Sequence, residues 1–122
     1  WRGDRVVFPL EGEVWDISLD PTVGDEIQKT RPCVVVNGAG LQNQGLRVVV
    51  PLTGWKSETM ARRPWFVEIA PDSINGLGKS SAAACHHVRS VSLQRFVVRR
   101  GRLSADDMAS IRASLKIVLS IA

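Results

Sequence analysis

Residues 19–37 read LDPTVGDEIQKTRPCVVVN, and they join a polar turn to an apolar strand. The first half is turn chemistry, because Asp20-Pro21 restricts the backbone and Gly24 permits a positive φ. The second half starts at Arg31-Pro32 and continues as the apolar run Cys33–Val36, which is typical of a strand buried on both faces. Arg31 therefore lies where a polar loop meets a packed core, either as a solvated strand end or as a held functional group.

Short strand patterns flank this stretch. Upstream, Trp15, Ile17 and Leu19 alternate with polar residues, which predicts a strand with one buried face. The intervening loop, residues 20–30, is longer than a hairpin needs, and long loops in compact domains are usually functional or mobile. Downstream, apolar or alternating runs predict further strands at Leu46–Leu52, Trp65–Ala70, Ser81–Cys85, Val88–Leu93 and Phe96–Arg99.

The last element predicted is a helix. Ser104 is a good N-cap, and acidic residues follow it in the first turn. Apolar residues then recur at helical spacing and predict one stripe that faces the core, formed by Met108, Ile111, Leu115, Val118, Leu119 and Ala122. Several short strands and one terminal helix predict a mainly β (α+β) fold, a small and strongly bent antiparallel sheet or barrel.

The length of 122 residues predicts a single domain that can bury its own core. No run approaches the roughly 18 apolar residues of a membrane span, and we expect no membrane partner. Residues 1–11 are interpreted as a lead-in that is partly tag-derived, because Trp1 stands where Met would begin a chain. Cys33 and Cys85 show no CxxC pairing, which favours two reduced core thiols and a cytoplasmic location.

Charge is unevenly spread along the chain. The formal net charge is +4, with a balance of −2 over residues 1–54 and +6 over residues 55–122. The basic second half favours an anionic partner, of which nucleic acid is the commonest for a small basic domain. Ordinary solubility charge explains the same composition equally well.

The sequence motifs give little support for a metal site or a nucleotide-binding site. His86 and His87 are adjacent, so in a strand they would point to opposite faces and could not chelate one ion. GxxxxGK[ST], GxGxxG and GxSxG patterns are absent from the sequence. We therefore expect neither a metal site nor a cofactor.

A phosphate site is the remaining candidate. Arg31 and Thr53 each lie at the polar end of a predicted core strand, and they would be close together if those strands are neighbours. The guanidinium offers a fixed fork of donors to a phosphate, and the hydroxyl can bond a phosphate oxygen. Trp55-Lys56 places a stacking surface beside a cation, as single-stranded nucleic-acid sites do. The competing interpretation makes Arg31 a solvated strand end, Thr53 a turn residue, and Trp55 and Trp65 rim packing.

The order of motifs in this chain resembles the MazF/PemK family of toxin endoribonucleases. The resemblance covers roughly residues 12–120 and rests on GEVW, LDPTVGDE, KTRPCVVV, VPLT and VRSV, at residues 12–15, 19–26, 29–36, 50–53 and 88–91. It implies an SH3-like barrel with a C-terminal helix, a homodimer, and metal-independent, sequence-specific cleavage of single-stranded RNA, the activity of an mRNA interferase. It also implies a cognate antitoxin, whose inhibitory segment we expect to be acidic and extended.

The resemblance also implies roles for particular residues. Arg31 matches the family's catalytic arginine and Thr53 its catalytic threonine. Cleavage by the ribose 2′-OH needs donors for the charge that grows on the phosphate, and we assign Arg31 and Thr53 to that task. The loop around Asp25 and Glu26 matches the family's mobile loop that covers RNA. Together with Trp55 and Lys56, which the stacking pattern suggests, the predicted RNA-binding residues are Trp15, Asp25, Glu26, Lys29, Trp55, Lys56 and Arg89.

Departures from the family pattern raise a question about acid–base catalysis. Ile27 stands where the family usually has Gln, and His86-His87 replaces an acidic residue followed by Gln. Ala84 stands where PemK-type members have a catalytic arginine. We therefore hypothesise that His86 takes the acid–base role, since an imidazole titrates near neutrality; a half-exposed strand histidine is the alternative.

Alternatives from other functional classes stay open at this point. A non-catalytic toxin on the same barrel could poison a protein such as DNA gyrase, and it would have no need of Arg31 with Thr53. A plain nucleic-acid-binding barrel would bind RNA with strong salt dependence and release it intact.

Overall fold

The computed structural model describes residues 8–122, in which seven antiparallel strands form one sheet that carries two α-helices. The strands are β1 Glu13–Ser18, β2 Thr30–Val35, β3 Leu46–Gly54, β4 Phe66–Ile69, β5 Ser81–Ala84, β6 Arg89–Ser92 and β7 Phe96–Arg102. The helices are α1 Ser57–Ala61 and α2 Ala105–Val118. Most of the predicted lead-in falls on residues 1–7, outside the described residues.

β3 is the strand to which most of the sheet is attached. Along one edge, its residues Val49, Val50 and Pro51 pair with β2. Along the other edge, its first half pairs with β6 and its last three residues pair with β5. The sheet path runs β4-β5-β3-β2-β1-β7, with β6 beside β3. The mainly antiparallel sheet with a C-terminal helix is as predicted, and the strand pairing within residues 8–122 follows an open path from β4 to β7 and does not close into a barrel.

Apolar side chains on the two faces of the sheet form two core clusters. The first lies between the sheet and α2, where Val14, Val34 and Val50 pack with Met108 and Ile111. The second lies on the opposite face and contains Ile17, Leu19, Cys33, Val35, Val49 and Val91. Adjacent residues of β2 belong to different clusters, which confirms the prediction that its apolar run is buried on both faces.

The sequence predicted the C-terminal helix better at its start than at its end. The Ser104 hydroxyl accepts a hydrogen bond from the Asp107 backbone N–H at 3.0 Å, which confirms the N-cap. Met108 and Ile111 are buried, and Leu115 packs against the same cluster. The predicted stripe is wrong beyond Val118, because the helix ends there and Leu119 is 53% exposed; the terminal Ala122 is exposed too.

Both cysteines are buried free thiols in different core clusters, as predicted. Burial raises the pKa of the Cys33 thiol to about 12, and it also raises that of Cys85. Both sulfurs are therefore protonated and unreactive at neutral pH. Within residues 8–122, no helix is long and apolar enough to span a membrane.

A buried arginine organises the connection between β2 and β3. Arg47 has no exposed surface, and its guanidinium donates to a set of backbone carbonyls. The donor–acceptor distances are 2.9 Å to Pro9, 3.2 Å to Leu41, 3.3 Å to Gln42, 2.9 Å to Gln44 and 2.8 Å to Leu46. Burial lowers the pKa of this guanidinium, yet an arginine stays charged at neutral pH. The loop is thus folded around one cation.

A tight turn in the β4–β5 connection packs against β7, and the Arg102 N–H donates to the Ile74 carbonyl at 3.2 Å. The buried Asn75 side chain accepts from the Leu77 N–H at 3.0 Å and donates to the Ala70 carbonyl at 2.9 Å. Gly76 has φ +69°, and a Cβ there would collide with the Arg100 carbonyl. Only glycine fits this position without moving the backbone.

We expect Gly76→Ala to lower the free energy of unfolding by roughly 1–3 kcal/mol, the cost of a non-glycine residue at positive φ, with the collision adding to it. Gly78→Ala is the matched control, because a Cβ at Gly78 meets nothing within 4 Å. Urea denaturation of both variants measures the difference. Equal stability of the two variants would contradict this account of the turn.

We expect Arg47→Leu to destabilise the fold by about 3 kcal/mol or more, because several buried carbonyls lose their donor together. Arg62→Leu, at an exposed position, serves as the control. Chemical denaturation gives the magnitude, and amide hydrogen exchange should localise the loss of protection to residues 38–46. A change below about 0.5 kcal/mol, the range of ordinary surface substitutions, would show that the loop does not depend on Arg47.

Candidate active site

Arg31 and Thr53 lie at corresponding ends of neighbouring strands. The last paired residues of β2 and β3 are Cys33 and Pro51, and the same register extended by two residues sets Arg31 opposite Thr53. Both then share the sheet face of the second cluster, since side chains alternate along a strand. Both residues are half-buried, and the Arg31 Nε donates to the Gln28 carbonyl at 3.2 Å. The two strands are therefore neighbours, while the proximity of the Arg31 and Thr53 side chains stays a prediction.

A cavity of about 270 Å³ opens on one side of the molecule, near β3 and β6. Its lining combines a carboxylate, two imidazoles and a guanidinium with three apolar residues. The lining residues are Glu26, Ile27, Pro51, His86, His87, Val88 and Arg89. Of the predicted site residues, the cavity brings together Glu26, His86 and Arg89. Arg31 and Thr53 are not among its lining, although Pro51 is two residues from Thr53.

The histidine pair does not belong to a strand, contrary to the sequence prediction. β5 ends at Ala84, and Cys85–His87 forms a 3₁₀ turn. The turn is closed by hydrogen bonds from Cys85 N–H to the Trp65 carbonyl, 2.9 Å, and from Val88 N–H to the Cys85 carbonyl, 3.2 Å. Consequently the two imidazoles lie together, with ring centroids 4.4 Å apart, and do not point to opposite faces. Within residues 8–122, no cluster of three or more His, Cys, Asp or Glu side chains is arranged to hold a metal ion.

The two histidines have different surroundings. His86 packs against the rings of Trp65 and Phe66, with centroids 5.6 and 5.0 Å away. Desolvation and the neighbouring His87 lower the pKa of His86. Burial lowers the pKa of His87 as well, while the carboxylates of Glu26 and Asp25 oppose that shift. Both imidazoles are thus predominantly neutral at neutral pH.

The loop that carries Asp25 and Glu26 is held at both ends. The Leu19 N–H donates to the Lys29 carbonyl at 3.0 Å, which closes the loop at its base. The Arg95 Nη1 donates to the carbonyls of Ser18 and Asp20 at 3.1 and 2.6 Å. Arg89, predicted to bind RNA, also donates to the Leu19 carbonyl, at 3.3 Å. No sequence signal singled out Arg95 for this task.

Ile27 anchors the middle of the loop. It is half-buried, packs against the second core cluster and lines the cavity. Glu26 is exposed, and its carboxylate accepts from the Val23 N–H at 2.6 Å. The apolar residue at position 27 therefore fixes the loop to the core, and the acidic residue before it faces the opening.

The other residues predicted to bind RNA lie elsewhere on the surface. Trp15 belongs to the second cluster: its ring meets Phe96 edge to face at 5.6 Å, and its Nε1 donates to the Glu13 carboxylate at 3.0 Å. Trp55 is half-buried and Lys56 is exposed, where β3 leads into α1. Lys29 is exposed, with φ 71°. Packing accounts for most of the Trp15 surface, whereas Lys29 and Lys56 are accessible to an anionic ligand.

The chain is similar to known toxins over most of its length. Residues 10–119 match the family described as "PemK-like, MazF-like toxin of type II toxin-antitoxin system". The chain is 30% identical over 116 residues to the Mycobacterium tuberculosis protein Endoribonuclease MazF9, covering 90% of this chain and 95% of that protein. It is 34% identical over 111 residues to Endoribonuclease PemK of Escherichia coli, covering 89% and 80%. The fold also matches the crystal structure of MazF from Deinococcus radiodurans with a TM-score of 0.77 at 24% identity, covering 93% and 97%.

Removal of the Glu26 charge should lower the pKa of His87 further below its ordinary value of 6.5, because Glu26 stabilises the protonated imidazole. We expect Glu26→Gln to move the His87 midpoint to lower pH in an NMR titration, and to move the His86 midpoint less. Glu68→Gln, an exposed carboxylate on β4, is the control. A His87 midpoint that stays in place would show that the loop carboxylate does not face this ring.

Proposed function

The chain belongs to the family of PemK-like, MazF-like toxins of type II toxin–antitoxin systems, and we propose that it is a metal-independent, sequence-specific endoribonuclease that cleaves single-stranded RNA. The observation that carries the proposal is the family match over residues 10–119, since two relatives that match nearly the whole chain are named endoribonucleases. We propose that the single toxin domain comprises residues 1–122 and acts in the cytoplasm. Two buried protonated thiols are consistent with that location.

The proposed reaction is an attack of the ribose 2′-OH on the adjacent phosphorus. The P–O5′ bond breaks, and the products are a 2′,3′-cyclic phosphate and a free 5′-OH. As the attack proceeds, negative charge grows on the non-bridging oxygens, and preorganised donors lower the barrier. Arg31 is proposed to stabilise that charge with its guanidinium, and Thr53 to bond a phosphate oxygen through its hydroxyl. The antiparallel pairing of β2 with β3 supports this assignment, because its register, extended by two residues, would set Arg31 opposite Thr53.

An acid–base group is also needed, because the 2′-OH must lose a proton and the 5′-oxygen must gain one. Arginine is a poor base at neutral pH, since it is effectively always protonated. The cavity holds two imidazoles, and His86 is the residue that the sequence comparison proposes for this role.

The proposed RNA surface combines the loop of residues 20–30 with Arg89 of β6. Asp25, Glu26 and Lys29 lie on the loop, and Arg89 lies across the cavity from it. Trp55 and Lys56 would extend the surface beyond Thr53, and Trp15 would contribute what its packing leaves exposed. Loops 38–45 and 54–64 are proposed to read the RNA sequence, in a homodimer.

A cognate antitoxin is the proposed protein partner. One of the structures with the same fold is titled "Endoribonuclease in complex with its cognate antitoxin from Mycobacterial species". An acidic, extended segment would suit the excess positive charge of residues 55–122 and would exclude RNA by occupying its surface.

The proposal predicts that Arg31→Ala and Thr53→Ala each lower the rate of RNA cleavage about 100-fold or more, since each removes a donor to the transition state. Thr53→Ser, which keeps the hydroxyl, should lose less. Arg112→Ala is the control, because Arg112 is an exposed residue of α2 that pairs with Glu11. The assay maps the cleavage sites on one long single-stranded RNA in EDTA, and far-UV circular dichroism checks the fold of each variant.

The same assay separates the proposed function from its alternatives. Intact RNA after incubation with the parent protein would reject the nuclease. Salt-dependent RNA binding without cleavage would favour a plain RNA-binding protein. Inhibition of DNA gyrase, with neither RNA binding nor RNA cleavage, would favour a gyrase poison. If Arg31→Ala and Thr53→Ala both unfold, the two residues have a structural role and the assay gives no support for a catalytic one.

A further inference from the structure

We infer that His87, rather than its neighbour His86, is the imidazole that takes the proton from the ribose 2′-OH. This inference rests on the proposed function, because it assigns a role within the proposed RNA cleavage. The two imidazole rings of the Cys85–His87 turn contact each other, but their other neighbours differ.

The surroundings of His86 are aromatic. Its ring contacts Trp65, Phe66 and His87, and the Trp65 ring carries the Arg63 guanidinium 5.5 Å from its centroid. His86 therefore lies between the rings of Trp65 and Phe66 on one side and the ring of His87 on the other.

Both histidines line the cavity, but His87 is the one whose charge state is influenced by the loop carboxylates Glu26 and Asp25. His87 is half-buried, whereas His86 is exposed. Glu26 of the loop and Arg89 of β6 belong to the same lining, and both Glu26 and Asp25 influence the charge of His87. A substrate phosphate between loop and turn would meet Arg89 as a cation and His87 as a base. The cavity also borders Pro51, two residues from Thr53 on the same strand face.

The charges that face His87 suit a base. Burial favours the neutral ring, Glu26 and Asp25 from the loop favour the protonated one, and His86 is the adjoining titratable group. The net result is a lowered pKa, so the free imidazole predominates at neutral pH and is available to accept a proton. The two loop carboxylates would then stabilise the imidazolium that forms.

The proton balance of the step is complete. Neutral His87 accepts the 2′-OH proton while the 2′-oxygen forms its bond to phosphorus and the P–O5′ bond breaks. The departing 5′-oxygen takes up one proton from solvent. The His87 imidazolium then returns its proton to solvent, and no oxidant, reductant or co-reactant is consumed.

Two substitutions separate the histidines, because each changes one imidazole and keeps a side chain of related shape. His87→Gln removes the base but leaves a polar side chain in the cavity, and His86→Phe keeps a ring in the aromatic cluster but cannot exchange a proton. Arg112→Ala is the control. Single-turnover cleavage of an oligonucleotide that contains one mapped site is measured between pH 4.5 and 8.5, with kcat and KM determined separately near neutrality.

We expect His87→Gln to lower kcat about 100-fold or more, the usual contribution of a general base, while KM changes little. It should also abolish the fall in rate on the acid side of the pH profile. His86→Phe should retain that fall. The opposite pattern, with the acid-side fall lost in His86→Phe and retained in His87→Gln, would overturn the inference and support His86 as the base.

An NMR titration of the parent protein is a second measurement, and it does not depend on whether His87→Gln folds. The chain has only two histidines, so NMR can titrate both and His86→Phe assigns them. The kinetic midpoint must coincide with the His87 midpoint, and coincidence with that of His86 overturns the inference. A parent protein that cleaves no RNA rejects the proposed function itself, whereas cleavage with an unchanged rate in His87→Gln rejects only the role of His87.

Discussion

The hydrogen bonds of β3 to three other strands are the constraint on which the rest of the structure depends. β2 lies along one edge, while β6 and β5 follow each other along the opposite edge. Because side chains alternate along β3, Val49 packs into one core cluster and Val50 into the other. The same register, extended by two residues, would set Thr53 opposite Arg31, and β5 on the other edge of β3 leads into the turn that carries both histidines.

A buried polar group within the sheet supports this framework. Glu13 is almost fully buried, and its carboxylate accepts from the Leu10 N–H, the Trp15 indole and the Arg99 guanidinium. Each of these bonds offsets the cost of removing the charge from water. The indole of Trp15 is thereby fixed between a carboxylate and the Phe96 ring, which explains why a residue expected on the RNA surface is largely a packing residue.

Sequence patterns predicted the parts of the fold that local chemistry controls. Strand alternation and the Ser104 cap depend on residues close in the chain, and both were predicted from the sequence. The turn at His86 was not predicted, because Ala84 and Cys85 continue an apolar run that is typical of a strand, and the bond from the Val88 N–H to the Cys85 carbonyl that forms the turn has no sequence signature. Arg47 was missed too, because a single arginine before an apolar run gives no sign that the preceding loop folds around it. Within the site, the proposed proximity of Arg31 and Thr53 follows from strand order, whereas the cavity between loop and turn depends on tertiary packing.

The bonding of Arg47 has a consequence for how this protein can change during evolution. Its guanidinium holds the β2–β3 loop through main-chain oxygens, which every amino acid possesses. The side chains of Gln42, Asn43 and Gln44 are accordingly not needed for those bonds. Substitutions there can alter the chemical character of the loop surface while its path is retained. New ligand preferences can thus arise by single mutations, without the loop first having to find another stable conformation.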